Sequence, residues 1–249
     1  MRPRLAELRA RAPEAGVILD FDGTLAPIVV DPAQARPLPG SVPVLRALVA
    51  RFRLVAVVSG RPAAFLAAHL DVPGLVRVGA YGLERATAEG VSTSPEVVPW
   101  LPAVAEVAEA ARRAAPPGAL VEDKGTSVTL HYRATREART WAQTFAASQG
   151  EAHGLVVHEA RQSVELRVPV AVDKGTAADA LIAEAGLVAG CAAGDDAGDL
   201  AAFAAVSRLP LHVRVAVGSD EAPPALLAAA DFVVDGPAGM LAVLRELAG

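Results

Sequence analysis

The chain of 249 residues contains no asparagine, a single cysteine and only two lysines. A lone cysteine, Cys191, cannot close an internal disulfide, and without a Cys/His cluster at ligand spacing nothing points to a structural zinc site. Both absences fit a reducing cytoplasm. Positive charge is in short supply as well: 23 basic residues against 28 acidic give a net charge of −5, with no basic stripe, which argues against a nucleic-acid partner. Long apolar runs are missing. The first, residues 17–19, is far shorter than a secretory core, and the uncharged stretch 185–194 is about half a membrane span, so the reading is a soluble, cytoplasmic chain with no membrane partner. Neither G-x-x-x-x-G-K-[ST] nor G-x-G-x-x-G occurs, which leaves no nucleotide cradle by motif.

What remains is 53% apolar residues, enough for one large domain or two small ones. The 23 basic residues divide into 21 arginines and the lysines Lys124 and Lys174. Against that bias, a surviving lysine marks a position that wants a compact, flexible ammonium instead of a planar guanidinium.

Read along the chain, the apolar run Val17-Ile18-Leu19 stops at Asp20-Phe21-Asp22-Gly23-Thr24, as a buried strand stops at a polar loop. Leu45, Leu48, Val49 and Phe52 recur at helical spacing, and residues 54–58 form a second buried strand ending in Ser59-Gly60-Arg61-Pro62. Strand, helix and strand make a parallel βαβ unit. The pattern changes after Pro95, Pro99 and Pro102. A helix carrying Val104, Val107, Ala108 and Ala111 precedes strands at about 119–124 and 127–133 that alternate, as in a half-exposed sheet. Val128, Leu130 and Tyr132 share one face; Thr129, His131 and Arg133 share the other. A helix with Ala138, Trp141, Ala142 and Phe145 on one side follows, then alternating segments at 155–158 and 163–168. From Asp173 the parallel pattern returns, with a helix closed by Gly186, the small apolar run Cys191-Ala192-Ala193 before Gly194-Asp195-Asp196, strands at 213–217 and 232–234, and a last helix with Met240, Leu241, Leu244 and Leu247. The expected fold is α/β: a Rossmannoid parallel-sheet core from residues 1–99 and 173–249, interrupted by an α+β insert, α-β-β-α-β-β, over 100–172.

Three polar clusters follow three apolar strands: Asp20 with Asp22, Ser59-Gly60-Arg61, and Asp195 with Asp196 and Asp199. In an open parallel sheet such strand ends lie on one edge, where ligands bind. Asp20 and Asp22, two residues apart, face one substrate, one as nucleophile and the other as acid or base. Carboxylates so crowded repel, and a hard divalent cation with oxygen ligands relieves them, which favours Mg²⁺. Lys174 opens a helix, where its charge and the first-turn N–H groups favour a phosphate. The competing readings are structural: Asp22-Gly23 as a turn, Asp199 as a helix cap, Glu122 and Lys124 as a solvated ion pair, and Trp100, Trp141 and Phe145 as packing groups.

Taken in order, Asp20-Phe21-Asp22-Gly23-Thr24, Ser59-Gly60-Arg61, Lys174 and Gly194-Asp195-Asp196-Ala197-Gly198-Asp199 resemble the four motifs of the haloacid dehalogenase (HAD) phosphatase superfamily. The insert sits where a C2-type cap would, and its element order resembles the B subtype. Within that superfamily the chain resembles the trehalose-6-phosphate phosphatases over nearly its full length, through Asp22-Gly23-Thr24-Leu25-Ala26-Pro27-Ile28, Val57-Val58-Ser59-Gly60-Arg61, Val121-Glu122-Asp123-Lys124, His131-Tyr132-Arg133, Val164-Glu165-Leu166-Arg167 and Asp173-Lys174-Gly175-Thr176-Ala177. It departs from them at Gly198-Asp199-Leu200, where relatives continue Thr-Asp-Glu, at Tyr81, where they often carry His, and at Val168-Pro169, where their proline directly follows the Arg167 position.

The resemblance implies that Asp20 attacks phosphorus, that Asp22 protonates the leaving sugar oxygen and then activates water, and that Lys174 steadies the charge. It places Mg²⁺ on Asp20, the Asp22 carbonyl and Asp195, supported by Asp196 or Asp199, and phosphate oxygens on Gly23, Thr24, Ser59, Gly60 and Lys174. Arg61 and the cap residues Glu122, Lys124, Arg133 and Glu165 would bind the substrate sugar, and cap closure would exclude water. The implied substrate is a small sugar phosphate, trehalose 6-phosphate; apart from the resemblance, the default expectation is a monomer. A phosphatase for a sucrose, glucosylglycerol or mannosylglycerate phosphate, a phosphomutase and a catalytically silent sugar-phosphate sensor are the alternatives.

Overall fold

A computed structural model describes residues 3–87, 89–132, 135–160 and 162–249; the side chain of Ala160 is not described. In chain order the elements are α1 (Pro3–Ala10), β1 (Ala15–Leu19), α2 (Ser41–Val49), β2 (Leu54–Val58), α3 (Ala63–His69), β3 (Val76–Gly79), β4 (Glu84–Thr87), β5 (Gly90–Thr93), α4 (Leu101–Ala114), β6 (Leu120–Asp123), β7 (Ser127–His131), α5 (Arg136–His153), β8 (Val156–Ala160), β9 (Ser163–Arg167), α6 (Lys174–Ala185), β10 (Ala189–Gly194), α7 (Asp199–Val206), β11 (Leu211–Gly218), α8 (Pro224–Ala229), β12 (Phe232–Asp235) and α9 (Gly236–Ala248). They divide into two compact units, Met1–Ser92 with Val172–Gly249, and Thr93–Ala171.

The first unit is built on a sheet in the order β12-β11-β10-β1-β2-β3-β4-β5, parallel from β12 through β3 and antiparallel between β3 and β4. Helices cover both faces, so β1, β2 and β10 are buried at every position and read as unbroken apolar runs. Alternate residues serve opposite layers. Val17, Leu19, Val55, Val57 and Val215 join Leu45 and Leu48 of α2 and Leu244 of α9, while Ile18, Ala56, Val58 and Ala192 join Leu181 of α6 and Phe203 of α7. The α/β expectation holds for the described residues. Helix α2 stops at Val49, so Phe52 reaches the core from the turn that feeds β2; its N–H donates to the Leu48 carbonyl.

The second unit is an antiparallel sheet in the order β6-β7-β9-β8 backed by α4 and α5. Val128, Leu130, Val164 and Leu166 fill its buried face. Helix α5 presents to it a stripe of small residues, Ala138, Ala142, Ala146 and Gly150, four apart. A Cβ on Gly150 would stand 3.0 Å from the Leu155 carbonyl oxygen and 2.8 Å from Val157, so the helix lies close on its sheet. Trp141 and Phe145, expected on that packing side, sit on its flank instead. They stack on each other at 5.3 Å and line an open groove with Glu137, Thr144 and Gln149. No helix among the described residues is long and apolar enough to cross a membrane.

One turn of the first unit is held against steric preference. Ala80 and Tyr81 take φ of 47° and 61°, followed by Gly82 at 126°. Side chains there cost roughly 1–2 kcal/mol per residue. The turn is fastened to the loop after β2: Ala80 N–H donates to the Arg61 carbonyl at 2.9 Å, Tyr81 N–H to the Ser59 carbonyl at 3.0 Å, and the buried Glu84 carboxylate accepts the Ala63 N–H at 2.7 Å. Gly79 makes that approach possible, since a Cβ there would lie 2.2 Å from the Ala63 nitrogen and 2.6 Å from the Arg61 oxygen. Gly79→Ala is therefore expected to cost about 1–3 kcal/mol of stability, because the obstacles are backbone. Gly198→Ala, with nothing within 4 Å, is expected to leave the urea midpoint nearly unchanged. Equal midpoints for the two variants would contradict this account.

Candidate active site

Parallel register brings the polar clusters of the first unit to one edge. Leu19 pairs with Ala193 of β10 and Val57 of β2, so Asp20, Ser59 and Asp195 leave adjacent strands at nearly the same height. The Asp20 N–H continues the ladder to the Ala193 carbonyl at 3.0 Å. Lys174 opens α6, which Asp173 caps through a reciprocal pair of hydrogen bonds with Thr176. Lys174 therefore stands on a fixed helix start.

The Lys174 ammonium lies 2.8 Å from Asp20 Oδ1 and 2.7 Å from Asp199 Oδ1, with all three side chains at most 7% exposed. Burial works against its charge, yet Asp199 and Asp20 outweigh burial and hold its pKa well above the ordinary lysine value. Asp20 is displaced the other way. Burial raises its pKa well above the ordinary carboxylate value, Asp199 and Asp195 add to the rise, and Lys174 opposes it.

Asp199 is the first residue of α7 and not its cap, which is Gly198 with no side-chain cap bond. Its Oδ2 accepts the N–H groups of Asp195 and Asp196, each at 3.0 Å, while Oδ1 holds the lysine, so one carboxylate ties the loop after β10 to α6. Gly194 leaves room for it, since a Cβ there would fall 2.0 Å from the Asp199 carboxyl carbon. Gly23, at φ 74°, does the same for Asp195, whose carboxylate would lie 2.2 Å from an added Cβ. Asp196 turns aside, accepting the N–H of Ala197.

Carboxylate oxygens of Asp20, Asp195 and Asp199 lie within 4.8 Å of one another, all buried. When all three carboxylates are ionised, one ammonium leaves two negative charges in excess, a repulsion that already raises the pKa of Asp20, and every carboxylate donor is oxygen. That composition fits a hard divalent cation and does not fit a soft one. Thr24 adds a fully buried hydroxyl with no hydrogen bond among the described residues.

Asp22 stands apart from this cluster. Arg61 grips it bidentately, Nε to Oδ2 and Nη2 to Oδ1, both at 2.7 Å. The Ser59 hydroxyl accepts the Arg61 N–H at 3.3 Å, and the Tyr81 phenol covers Gly60 so closely that a Cβ there would be 2.5 Å from it.

In the second unit Lys124 and Glu165 form a buried pair at 3.0 Å instead of a solvated contact between Glu122 and Lys124. Glu122, Thr129, Glu165 and His158 stand in one row across all four strands. Glu165 also accepts the Ser127 hydroxyl at 2.7 Å and both Nε and Nη2 of Arg167, at 2.8 and 2.6 Å. Glu122 meets His131 at 2.8 Å. Arg133 lies outside the described residues. Sequence reasoning passed over Ser127 and Arg167 as contributors, although Arg167 shares a strand face with Glu165 two residues away. It missed Glu84 altogether, whose partner is a backbone N–H that no side-chain pattern announces.

The trehalose-phosphatase family model matches residues 18–232. The trehalose-phosphate phosphatase of Mycobacterium leprae is 32% identical over 93% of this chain, and the chain spans 56% of that relative's length. Among solved structures, a trehalose-6-phosphate phosphatase related protein superposes with a TM-score of 0.80 at 23% identity, covering 94% of this chain and 96% of its own. The C-terminal domain of the Candida albicans trehalose-6-phosphate phosphatase gives 0.78 at 22% identity, covering 100% of this chain and 96% of its own. At those identities the likeness is one of fold.

The Glu165 cluster carries a pH signature. Burial alone would raise its pKa, but Lys124, Arg167 and the Ser127 hydroxyl bring it down from 4.5 to about 2. A depressed folded value means that the stabilisation is complete above about pH 4.5 and is lost as pH falls toward 2. The amount at stake is about 3 kcal/mol. Urea midpoints recorded across that window are expected to fall for the parent protein, whereas Glu165→Gln starts lower at pH 7 and shows a flatter profile. Parallel profiles would contradict the assignment.

Proposed function

The chain belongs to the trehalose-phosphatase family, and from that premise we propose that it is a phosphoric monoester hydrolase that converts trehalose 6-phosphate to trehalose and inorganic phosphate. The observation that carries the reading is the Lys174 ammonium held between Asp20 and Asp199, at the edge where β1 and β10 end. A nucleophilic carboxylate beside a fixed cation suits attack on a phosphate ester, whose oxygens gather negative charge in the transition state.

In this reading a carboxylate oxygen of Asp20 attacks phosphorus, and the bond from phosphorus to the sugar oxygen breaks. Asp22 gives that oxygen its proton, trehalose leaves, and Asp20 carries the phosphoryl group as an acyl phosphate. Asp22, now the base, takes a proton from water as the water oxygen attacks the same phosphorus. Phosphate departs, Asp20 is restored, and Asp22 holds the proton for the next cycle. Lys174 steadies the charge with Ser59 and the backbone of Gly23 and Gly60, and the buried Thr24 hydroxyl is a further donor for a phosphate oxygen. Asp20, Asp195 and the Asp22 carbonyl would hold Mg²⁺, with Asp199 favoured over Asp196 as their support because Asp199 belongs to the carboxylate cluster. When bound, the ion supplies Lewis-acid stabilisation of phosphoryl oxygens.

The sugar is assigned to Glu122, Lys124, Arg133 and Glu165. The polar row across the second unit's sheet holds Glu122 and Glu165, and Lys124 joins it through its ion pair with Glu165; this supports the assignment for three of the four, since a face that gathers charged and polar side chains suits hydroxyl recognition. The substrate is a small molecule, and the net charge of −5 gives nucleic acid no purchase. The protein acts as a monomer in the cytoplasm, a placement that the fully buried, unreactive Cys191 does not oppose: burial pushes its thiol up to about 12.

Phosphate release from trehalose 6-phosphate, glucose 6-phosphate, sucrose 6-phosphate and glucosylglycerol phosphate, with Mg²⁺ and with EDTA, tests this directly. Selective, Mg²⁺-dependent release from trehalose 6-phosphate is expected, falling by roughly 10³-fold or more in Asp20→Asn. Turnover of a different sugar phosphate would overturn the substrate, and release from none of them would favour a silent sensor.

A further inference from the structure

Arg61 is set among partners that have nothing to do with a substrate. Its Nη1 donates to the Pro32 carbonyl at 2.8 Å, and its guanidinium carbon lies 4.7 Å over the Phe65 ring. Phe65 in turn meets Phe21 edge-on at 5.7 Å, and Phe21 is the residue between the two aspartates. The guanidinium is thus fixed by the Pro32 carbonyl and by stacking on Phe65 of α3, with its side chain only 9% exposed. Its Nε–Nη2 edge meets both oxygens of Asp22, whose side chain is 28% exposed. A planar fork held by these two contacts fixes the position and plane of the carboxylate it grips.

The arrangement also keeps two neighbouring carboxylates apart. Asp20 and Asp22 leave the same strand end, yet each has its own cation: Lys174 for Asp20 and Arg61 for Asp22. Sorting the pair in this way leaves Asp20 within the buried cluster and keeps Asp22 outside it, on its own cation.

We infer that Arg61 is the positioning residue for Asp22, aiming the acid and base of the reaction, and that it does not bind the substrate. This rests on the hydrolase reading above. Its consequence is selective: loss of the fork weakens the step in which a poor leaving group needs a proton and spares one in which the leaving group departs unaided.

The test compares Arg61→Lys, which keeps the charge and loses the fork, with Asp22→Asn and the double variant, by stopped-flow release of the first product. Trehalose 6-phosphate supplies a leaving alkoxide that needs protonation, and p-nitrophenyl phosphate a phenolate that does not. For Arg61→Lys the first step on trehalose 6-phosphate is expected to slow by at least about tenfold with little change in KM, while the p-nitrophenolate burst is nearly preserved. In the Asp22→Asn background Arg61→Lys is expected to add no further loss. The preserved burst doubles as evidence that the variant is folded. Equal losses on both substrates, a raised KM, or losses that add to those of Asp22→Asn would overturn the inference and place Arg61 on the substrate. If the parent protein turns over another alkyl phosphate instead, the substrate reading fails alone and the same comparison is made on that ester. A parent protein inactive on every ester overturns both.

Discussion

An ammonium buried between two carboxylates is the constraint around which the first unit is arranged. Lys174 could not be charged at 6% exposure without close partners, and neither Asp20 nor Asp199 could be ionised there without it. Once that triad is accepted, the local chain follows. Asp199 spends its second oxygen on two backbone N–H groups and so closes the loop after β10; Gly194 must lack a Cβ to admit it; Gly23 must turn through positive φ to clear Asp195. Glycines in these motifs are space for carboxylates as much as turns. The arrangement remains electrostatically incomplete, which is why an oxygen-seeking divalent cation suits it.

The second unit solves a similar problem with the opposite balance. Glu165 is 1% exposed and surrounded by Lys124, Arg167 and Ser127, so a single buried carboxylate has more donors than it needs. The first unit therefore holds an excess of acceptors and the Glu165 cluster of the second an excess of donors. Within each, a charged residue is oriented by neighbours from other strands or helices, which is how rigid elements hold polar groups to tight tolerances.

Much of this could be read in advance, because buried parallel strands announce themselves as unbroken apolar runs and the residue after each run must lie at the sheet edge. Asp20, Ser59 and Asp195 were legible for that reason, and Lys174 because a lysine is conspicuous in a chain that otherwise uses arginine. The role of Arg61 was not legible. Its sequence position places it in the same loop as Ser59, while its partners Pro32, Phe65 and Asp22 come from three separate segments that only folding assembles. Trp141 and Phe145 misled for a related reason: helical spacing puts them beside Ala138 and Ala142, and it takes the closeness of α5 to its sheet to show that only small residues fit there. Gly79 and Gly82 mark a turn, but the strain at Ala80 and Tyr81 was not legible, since glycine is the residue that signals a positive φ and neither position carries one.

The scarcity of lysine has an outcome for the protein's surface. Both lysines are in ion pairs, Lys174 fully enclosed and Lys124 with a side chain only 10% exposed, so the positive charge of the exterior is arginine throughout. Guanidinium groups do not acylate under conditions in which amines do. Reagents that couple to side-chain amines, whether acetyl donors, crosslinkers or immobilisation chemistries, therefore find no lysine foothold on the folded protein, and modification at Lys124 or Lys174 would report that its ion pair had opened.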